Sequence, residues 1–348
     1  MITIPVNAGS PYKVNIGSGI ISTAGSEMKA LGLSGKVLIV SDDNVAPLWL
    51  DTVRTSLTEN GFEVSDFVIP HGEENKNAIS LLSILNFAAE NNFSRSDTFV
   101  ALGGGVVGDL CGFAAAVYMR GIGFVQLPTS LLAAVDSSVG GKTAIDLDSG
   151  KNLAGAFHQP KLVICDTDCF ETLPEEEISN GMGEVIKYGM FCDNELLNML
   201  NGEFDIKEIV ARCVAIKAKV VEADEFEKGE RAFLNFGHTI AHAIELLSGY
   251  TVPHGSAVAA GMVAITKACV EKSICEKEAL DILLSLLTKF NLPEKFNFET
   301  NEIYNATLKD KKNSNGKITL VLPTAKGKSI LKKCDYNELK EFITLGMK

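Results

Sequence analysis

Thr98–Met119 reads TFVALGGGVVGDLCGFAAAVYM. Its first five residues are mainly apolar and rich in strand formers, three glycines follow at once, and an apolar run of helical length closes the stretch. Glycines between a strand and a helix let backbone approach a pyrophosphate, whose charge is favoured at a helix N-terminus. The spacing of Gly103 to Asp109 is not a strict G-x-G-x-x-G, and a tight turn with close helix–strand packing would use the same glycines. The strand-then-helix setting favours a dinucleotide phosphate site. Outward from this stretch the same alternation repeats. KVLIVSD (36–42) and EVSDFVIP (63–70) read as strands on one side, with a helix over 78–91; Phe124–Leu127 and KLVICD (161–166) read as strands on the other. Strands alternating with helices mean βαβ units and a parallel sheet, in which ligands bind beyond the carboxyl ends of the strands.

The polar residues at those ends are therefore informative. Asp42 and Asn44 follow one strand, and HGEENK (His71 to Lys76) follows the next. GFVQLPTSLLAAVDSSVGGKTAIDLDSGKN (123–152) brings Thr129, Ser130, Asp136, Lys142, Lys151 and Asn152 around a Gly140–Gly141 turn. Lysines on a loop are usually solvated, but among glycines, serines and apolar residues a lysine more often meets a phosphate or carboxylate. CFETLP (169–174) reads as the end of this first domain.

Beyond Pro174 the pattern is helical until a late strand at ITLVLP (318–323). PEEEISNGMGEVIKYGMF (174–191) sets Glu184 and Lys187 three apart on a mainly apolar helix, where neither is cheap to bury unpaired. RAFLNFGHTIAHAIELLSGYTVPHG (231–255) holds His238, His242 and His254. Imidazole nitrogens are good ligands for zinc, and a catalytic zinc takes three protein ligands and keeps a position open. The three histidines, with a carboxylate such as Glu184 as partner, are the candidate donors; satisfied polar groups on a half-buried helix are the bland alternative. Arg231, Asn235, His238 and His242, at spacings of four, three and four, read as one polar stripe along a single helix. Lys311 and Lys312 read as exposed charge beside a turn.

The 348 residues suffice for two domains. Hydrophobic content of 46% with 22% charged residues is that of a globular protein. A net charge of −12 argues against nucleic acid or an anionic membrane as partner, though not against a small anion held by local cations. Eight scattered cysteines without a C-x-x-C pair, and an N-terminus lacking the layout of a signal peptide, lead us to expect reduced thiols and a cytoplasmic location.

GGGVVGD, YMRG, LPTSLLAAVDSSVGGKTAID, GKNLAGAFHQP, GMGEVIKYG, RAFLNFGHTIAHAIE, PHG and KDKK occur in that order. Together they resemble the 3-dehydroquinate synthase family of sugar-phosphate cyclases over nearly the whole chain. The resemblance implies an α/β N-terminal Rossmann-like domain with a parallel sheet (1–172) and an all-helical C-terminal domain (173–348). It implies Glu184, His238 and His254 as ligands of Zn2+ or Co2+, with His242 outside the ligand set. It implies NAD on Asp42, Asn44, Glu73, Lys76, the loop of Gly104, Gly105, Val106, Val107, Gly108 and Asp109, then Thr129, Ser130, Lys142, Lys151 and the segment Cys169, Phe170, Glu171 and Thr172. It implies a small anionic sugar phosphate on Arg120, Asp136, Lys187, Lys217, Asn235 and one of Lys311 and Lys312. We expect Lys142, Asn152, Arg231, or some combination of them, at the departing phosphate, and His242 as a proton carrier near the ring. A homodimer is the expected assembly. Departures at His71, Ser130 and Ala241 remove no proposed ligand. The rival readings are a 2-deoxy-scyllo-inosose synthase-like cyclase, a metal-dependent polyol dehydrogenase and a non-catalytic NAD sensor. Arg120 and the Lys311–Lys312 pair favour a substrate bearing a carboxylate.

Overall fold

The computed structural model describes residues 1–310 and 316–348; Lys311 and Lys312 lie outside the described residues. Along the chain the elements are β1 (Ile2–Val6), β2 (Tyr12–Gly17), α1 (Ala24–Ala30), β3 (Lys36–Asp42), α2 (Ala46–Glu59), β4 (Glu63–Ile69), α3 (Ala78–Glu90), β5 (Thr98–Gly103), α4 (Gly105–Val117), β6 (Gly123–Pro128), β7 (Lys142–Leu147), β8 (Gly150–Phe157) and β9 (Leu162–Asp166). They continue with α5 (Glu175–Cys192), α6 (Asn194–Asn201), α7 (Ile206–Ala223), α8 (His238–Leu247), α9 (His254–Glu271), α10 (Lys277–Lys289), α11 (Thr300–Asp310), β10 (Lys317–Ala325), β11 (Lys328–Asp335) and α12 (Tyr336–Gly346). Two compact units result: Met1–Leu173 with Ile206–Phe226, and Pro174–Asp205 with Glu227–Lys348.

In the first unit seven strands form one sheet in the order β1-β2-β9-β6-β5-β3-β4, parallel except for the β1–β2 pair. Val37 to Val40 of β3 and Phe99 to Leu102 of β5 are buried without alternation, as strands covered on both faces must be. Pairing of Gly103 with Pro128, and of Ser41 with Leu102, aligns the carboxyl ends of β3, β5 and β6 on one edge of the sheet. Asp42, the Gly103–Gly105 turn and Thr129–Ser130 therefore emerge side by side. Helix α4 lies close on the sheet because Gly112 has no side chain; a Cβ there would stand 2.5 Å from Thr143 Cγ2 and 2.9 Å from the Phe124 ring. A hairpin of β7 and β8, not expected from the sequence, carries Lys142 at its start and Lys151 and Asn152 at its turn end. Helix α7, with Lys217, packs on β1, β2 and the Ala133–Ser137 turn.

In the second unit α9 is the wall. Its buried face includes Ala257 to Ile265 without a break, and α5, α8, α10 and α12 pack on it. The unit is helical apart from the β10–β11 hairpin, whose last residue, Asp335, opens α12 through a reciprocal capping box with Glu338. The single polar helix read from Arg231 to His242 is two elements. Glu230–Asn235 is a 3-10 segment, and α8 begins only at His238. Gly237 makes the break at φ 79°; a Cβ there would stand 2.8 Å from the Val258 carbonyl oxygen of α9. Among the described residues no helix is long and apolar enough to cross a membrane.

Candidate active site

In the second unit, three elements converge on one point. Glu184 lies on α5, His238 opens α8 and His254 opens α9. One ligand atom from each falls within 4.8 Å of the other two. Glu184 Oε1 is 3.6 Å from His238 Nε2 and 3.3 Å from His254 Nε2. Each ligand stands beside a glycine that lets backbones meet. A Cβ on Gly255 would lie 1.8 Å from the Asn180 carbonyl oxygen, and one on Gly183 2.5 Å from the Gly255 carbonyl oxygen. Gly261 meets Gly237 in the same way, at 2.2 Å. Glu184 and His254 are thus brought together by the α5–α9 crossing, and His238 by the seat of Gly237 on α9.

The second nitrogen of each imidazole is also held. His238 Nδ1 meets the Phe236 carbonyl oxygen at 3.1 Å, and His254 Nδ1 meets Glu245 Oε1 at 3.3 Å. Both Nε2 atoms therefore face Glu184, the arrangement a metal-ligating histidine needs. Burial, then the Lys187 ammonium, hold the His238 pKa well below the ordinary imidazole value, so the ring is neutral. For His254 burial also disfavours the charge, but hydrogen bonds with Glu184 and Glu245 outweigh it and raise the pKa to about 10. A proton on His254 thus stands where a cation would be balanced by two carboxylates. Lys187, 1% exposed, pairs with Glu184 Oε2 and leaves Oε1 to the imidazoles. Two imidazole nitrogens and a carboxylate oxygen suit Zn2+ or Co2+. His242 lies outside this donor set; its ring centroid is 5.6 Å from that of His238, edge to face. Arg231 is buried on the 3-10 segment, and Asn235 Nδ2 donates to Glu227 Oε1 at 3.2 Å.

In the first unit the structure joins residues that are far apart in sequence. Lys76, 4% exposed, meets Asp109 Oδ2 at 2.6 Å and donates to Asn152 Oδ1 at 2.6 Å. Glu73 lies 3.9 Å from Lys76 and 3.4 Å from Lys151. Burial opposes the Lys76 charge, but Asp109 and Glu73 outweigh it, and the ammonium titrates above its usual value. Asn152 stands at φ 56°; its backbone N–H donates to Asp146 Oδ1 at 2.8 Å, and Asp146 N–H donates to the Lys76 carbonyl oxygen at 2.8 Å. Asp42 accepts from the N–H groups of Asn44 and Val45, each at 2.9 Å, while burial raises its pKa. Helix α4 starts at the glycine turn with no side-chain cap on Gly104, so its first N–H groups are open to an anion. A Cβ on Gly104 would meet Ser130 Oγ at 3.4 Å and one on Gly105 Ser137 Oγ at 3.2 Å, so side chains here would crowd the cradle. Val106, Val107 and Gly108 form the first turn of α4, and Thr129 N–H donates to the Gly103 carbonyl oxygen at 3.0 Å.

Asp136 and Lys217 pair at 2.9 Å, and Lys217 also donates to the Asp136 carbonyl oxygen at 2.6 Å. Cys169 to Thr172 form a 3-10 turn after β9, closed by Thr172 Oγ1 donating to the Cys169 carbonyl oxygen at 2.8 Å. Burial pushes the Cys169 thiol up to about 12, so it is no nucleophile at neutral pH. Arg120 joins none of these clusters. It follows a left-handed Met119 and lines a cavity with Arg95, His158, Lys161 and Glu225. Sequence reasoning passed over Glu245 and Asp146. The signal for Glu245 was its place seven residues after His238, two turns along one helix face.

Residues 66–180 match the 3-dehydroquinate synthase N-terminal family, and residues 181–313 the 3-dehydroquinate synthase C-terminal family. A 3-dehydroquinate synthase of Streptococcus pneumoniae (strain JJA) is 42% identical over 96% of this chain and 97% of its own. One of Pelobacter propionicus is 48% identical over 84% of this chain and 85% of its own. The solved structure of a 2-deoxy-scyllo-inosose synthase, described with carbaglucose-6-phosphate, NAD+ and Co2+, superposes with a TM-score of 0.88. It covers 98% of this chain and 99% of that one, and at 24% identity it establishes a shared fold. With both halves matched and near full-length relatives above 40% identity, the chain belongs to the 3-dehydroquinate synthase family.

Proposed function

We infer that this chain is a phosphate-eliminating cyclase. It converts 3-deoxy-D-arabino-heptulosonate 7-phosphate to 3-dehydroquinate and inorganic phosphate, the step of the shikimate route to aromatic compounds that closes the carbocycle. The observation that carries this reading is the convergence of Glu184, His238 and His254 in a chain whose two halves both match the family. When bound, NAD supplies a transient hydride acceptor, and Zn2+ or Co2+ a Lewis acid at the substrate hydroxyls.

The chain's own residues bind and orient. Glu184, His238 and His254 would hold the cation. Asp42, Asn44, Glu73, Lys76, Asp109, Lys151 and the open N-terminus of α4 would hold NAD, with Thr129, Ser130 and Cys169–Thr172 along the same sheet edge. Lys142, Asn152 and Arg231 bind the phosphate that departs, and the phosphate accepts the proton removed from the adjacent carbon. Arg120, Asp136, Lys187, Lys217 and Asn235 neutralise and orient the rest of the substrate, with Lys311 or Lys312 at its carboxylate. Local cations thus serve an anionic substrate in a chain of net charge −12. His242, beside His238, carries protons near the ring. On this reading residues 1–172 bind NAD and part of the substrate, and residues 173–348 the metal and the rest of the substrate, in a cytoplasmic homodimer.

Phosphate release from this substrate, with NAD and zinc supplied and a chelated control, tests the assignment while absorbance follows NADH. We expect metal- and NAD-dependent phosphate with no accumulating NADH. NADH without phosphate would make the protein a plain dehydrogenase. Turnover of glucose 6-phosphate alone would move it to the inosose-forming branch.

A further inference from the structure

We propose that Glu245 is a positioning residue of the metal centre, fixing the His254 ring so that its Nε2 faces Glu184. The inference rests on the reading of Glu184, His238 and His254 as ligands. His238 and Glu245 lie seven residues apart on α8 and so share one face. The His254 ring packs against that face, with its centroid 5.2 Å from that of His238. His254 stands between two carboxylates. Its Nε2 is 3.3 Å from Glu184 Oε1, and its Nδ1 is 3.3 Å from Glu245 Oε1.

Glu245 is 4% exposed on a helix whose other buried side chains are Thr239, Ile240, Ala241, Ala243 and Ile244. A buried carboxylate in such surroundings is costly unless it meets a donor or a positive charge. The two histidines are held differently at Nδ1, one by the neutral Phe236 carbonyl and the other by the Glu245 carboxylate. An ionised acceptor makes the stronger hydrogen bond, fixes the tautomer with the proton on Nδ1 and raises the basicity of the far nitrogen. Glu245 therefore makes His254 the stronger nitrogen ligand of the pair, and it completes a carboxylate–imidazole–metal line that runs from α8 through α9.

The experiment measures zinc affinity of the full-length chain by competition with a chromophoric chelator, and the visible absorption of the Co2+-loaded protein, for wild type, Glu245→Gln and Glu245→Ala. We expect zinc to bind 10- to 100-fold more weakly to Glu245→Ala, the range typical for loss of such a partner. The Co2+ bands should shift, and Glu245→Gln, which keeps an acceptor of the same shape, should fall in between. If Glu245→Ala does not fold, Glu245→Gln decides: weaker zinc binding with shifted bands supports the proposal, and wild-type values for both overturn it. A merely structural Glu245 would lower stability and leave the Co2+ bands of the folded variants unchanged, which also overturns it. Wild type that binds no zinc would sink the three-ligand reading itself, an outcome distinct from wild-type binding shared by both variants.

Discussion

Gly255→Ala is a one-carbon change beside a proposed ligand, and its effect follows from distances. The new Cβ would stand 1.8 Å from the Asn180 carbonyl oxygen, 2.7 Å from the carbonyl carbon and 2.8 Å from Asn180 Oδ1. Carbon–oxygen contacts settle near 3.3–3.6 Å, so α5 and α9 must part by roughly 1.5 Å at this crossing. The obstacle is main chain, so no rotamer change can relieve it. Parting also lengthens the hydrogen bond from Gly255 N–H to Asn180 Oδ1, now 2.5 Å. Overpacking of this kind costs about 1–3 kcal/mol and the weakened hydrogen bond about 1 kcal/mol more. For a unit of this size the expected fall in Tm is roughly 5–15 °C. Glu184 and His254, each next to a glycine of the crossing, would separate by several times the ~0.2 Å that ligand distances tolerate. Zinc affinity should fall at least about tenfold, since the ligands no longer converge. Differential scanning calorimetry and chelator competition on the purified variant measure both effects. A variant with wild-type Tm and wild-type zinc affinity would refute the claim that backbone contact at Gly255 sets the ligand geometry.

Glu184→Ala should abolish tight zinc binding, checked by metal analysis after dialysis; a variant that loses activity with zinc still bound would contradict its place as a ligand. Lys76→Met strands the Asp109 carboxylate, so stability should drop by about 3 kcal/mol in denaturant titration, with Asp109→Asn in the same chain recovering part of it. Weakened NAD binding by fluorescence titration should accompany it. His71 donates to Asp43, at 2.8 Å from both its backbone nitrogen and Nδ1, and this partner raises the His71 pKa above its ordinary value. The pair's contribution is then complete below the unfolded histidine pKa and is lost as pH rises through the higher folded value. A proton NMR titration should show His71 as a late-titrating ring, and Asp43→Asn should return it to the ordinary range.

The centre of the sheet was legible because β3, β5, β6 and β9 are buried on both faces and read as largely apolar runs that match the expected segments closely. The β7–β8 hairpin was not, because Gly150, Lys151, Asn152 and Gly155 leave β8 without an apolar run. Strand β1 was missed because a five-residue edge strand carries little pattern of its own, and β2, β11 and α12 were missed with it. The candidate donor set could be read from residue type and from motif order, but not from spacing. His238 and His242 have helical i, i+4 spacing, yet the groups that converge with His238 are His254 and Glu184, the latter some fifty residues upstream, because α5 and α8 both lie on α9. The polar stripe failed at Gly237, where α9 backbone fills the space a side chain would need and the helix must restart. The cluster around Lys76 was foreseen as a list of cofactor contacts, but its internal ion pairs could be known only from the fold.

Asn152 shows how tightly one position can be specified. Its left-handed backbone admits glycine, asparagine or aspartate with little strain and most other residues only at a cost. Its side-chain oxygen must also accept from Lys76. Glycine would meet the first demand and fail the second; glutamine would do the reverse. Aspartate would meet both but add a charge to a cluster that already holds Glu73, Asp109 and Asp146 against Lys76 and Lys151. Conformational tolerance, an acceptor and neutrality thus intersect in a single amino acid, and glycine, glutamine and aspartate each fail one of the three.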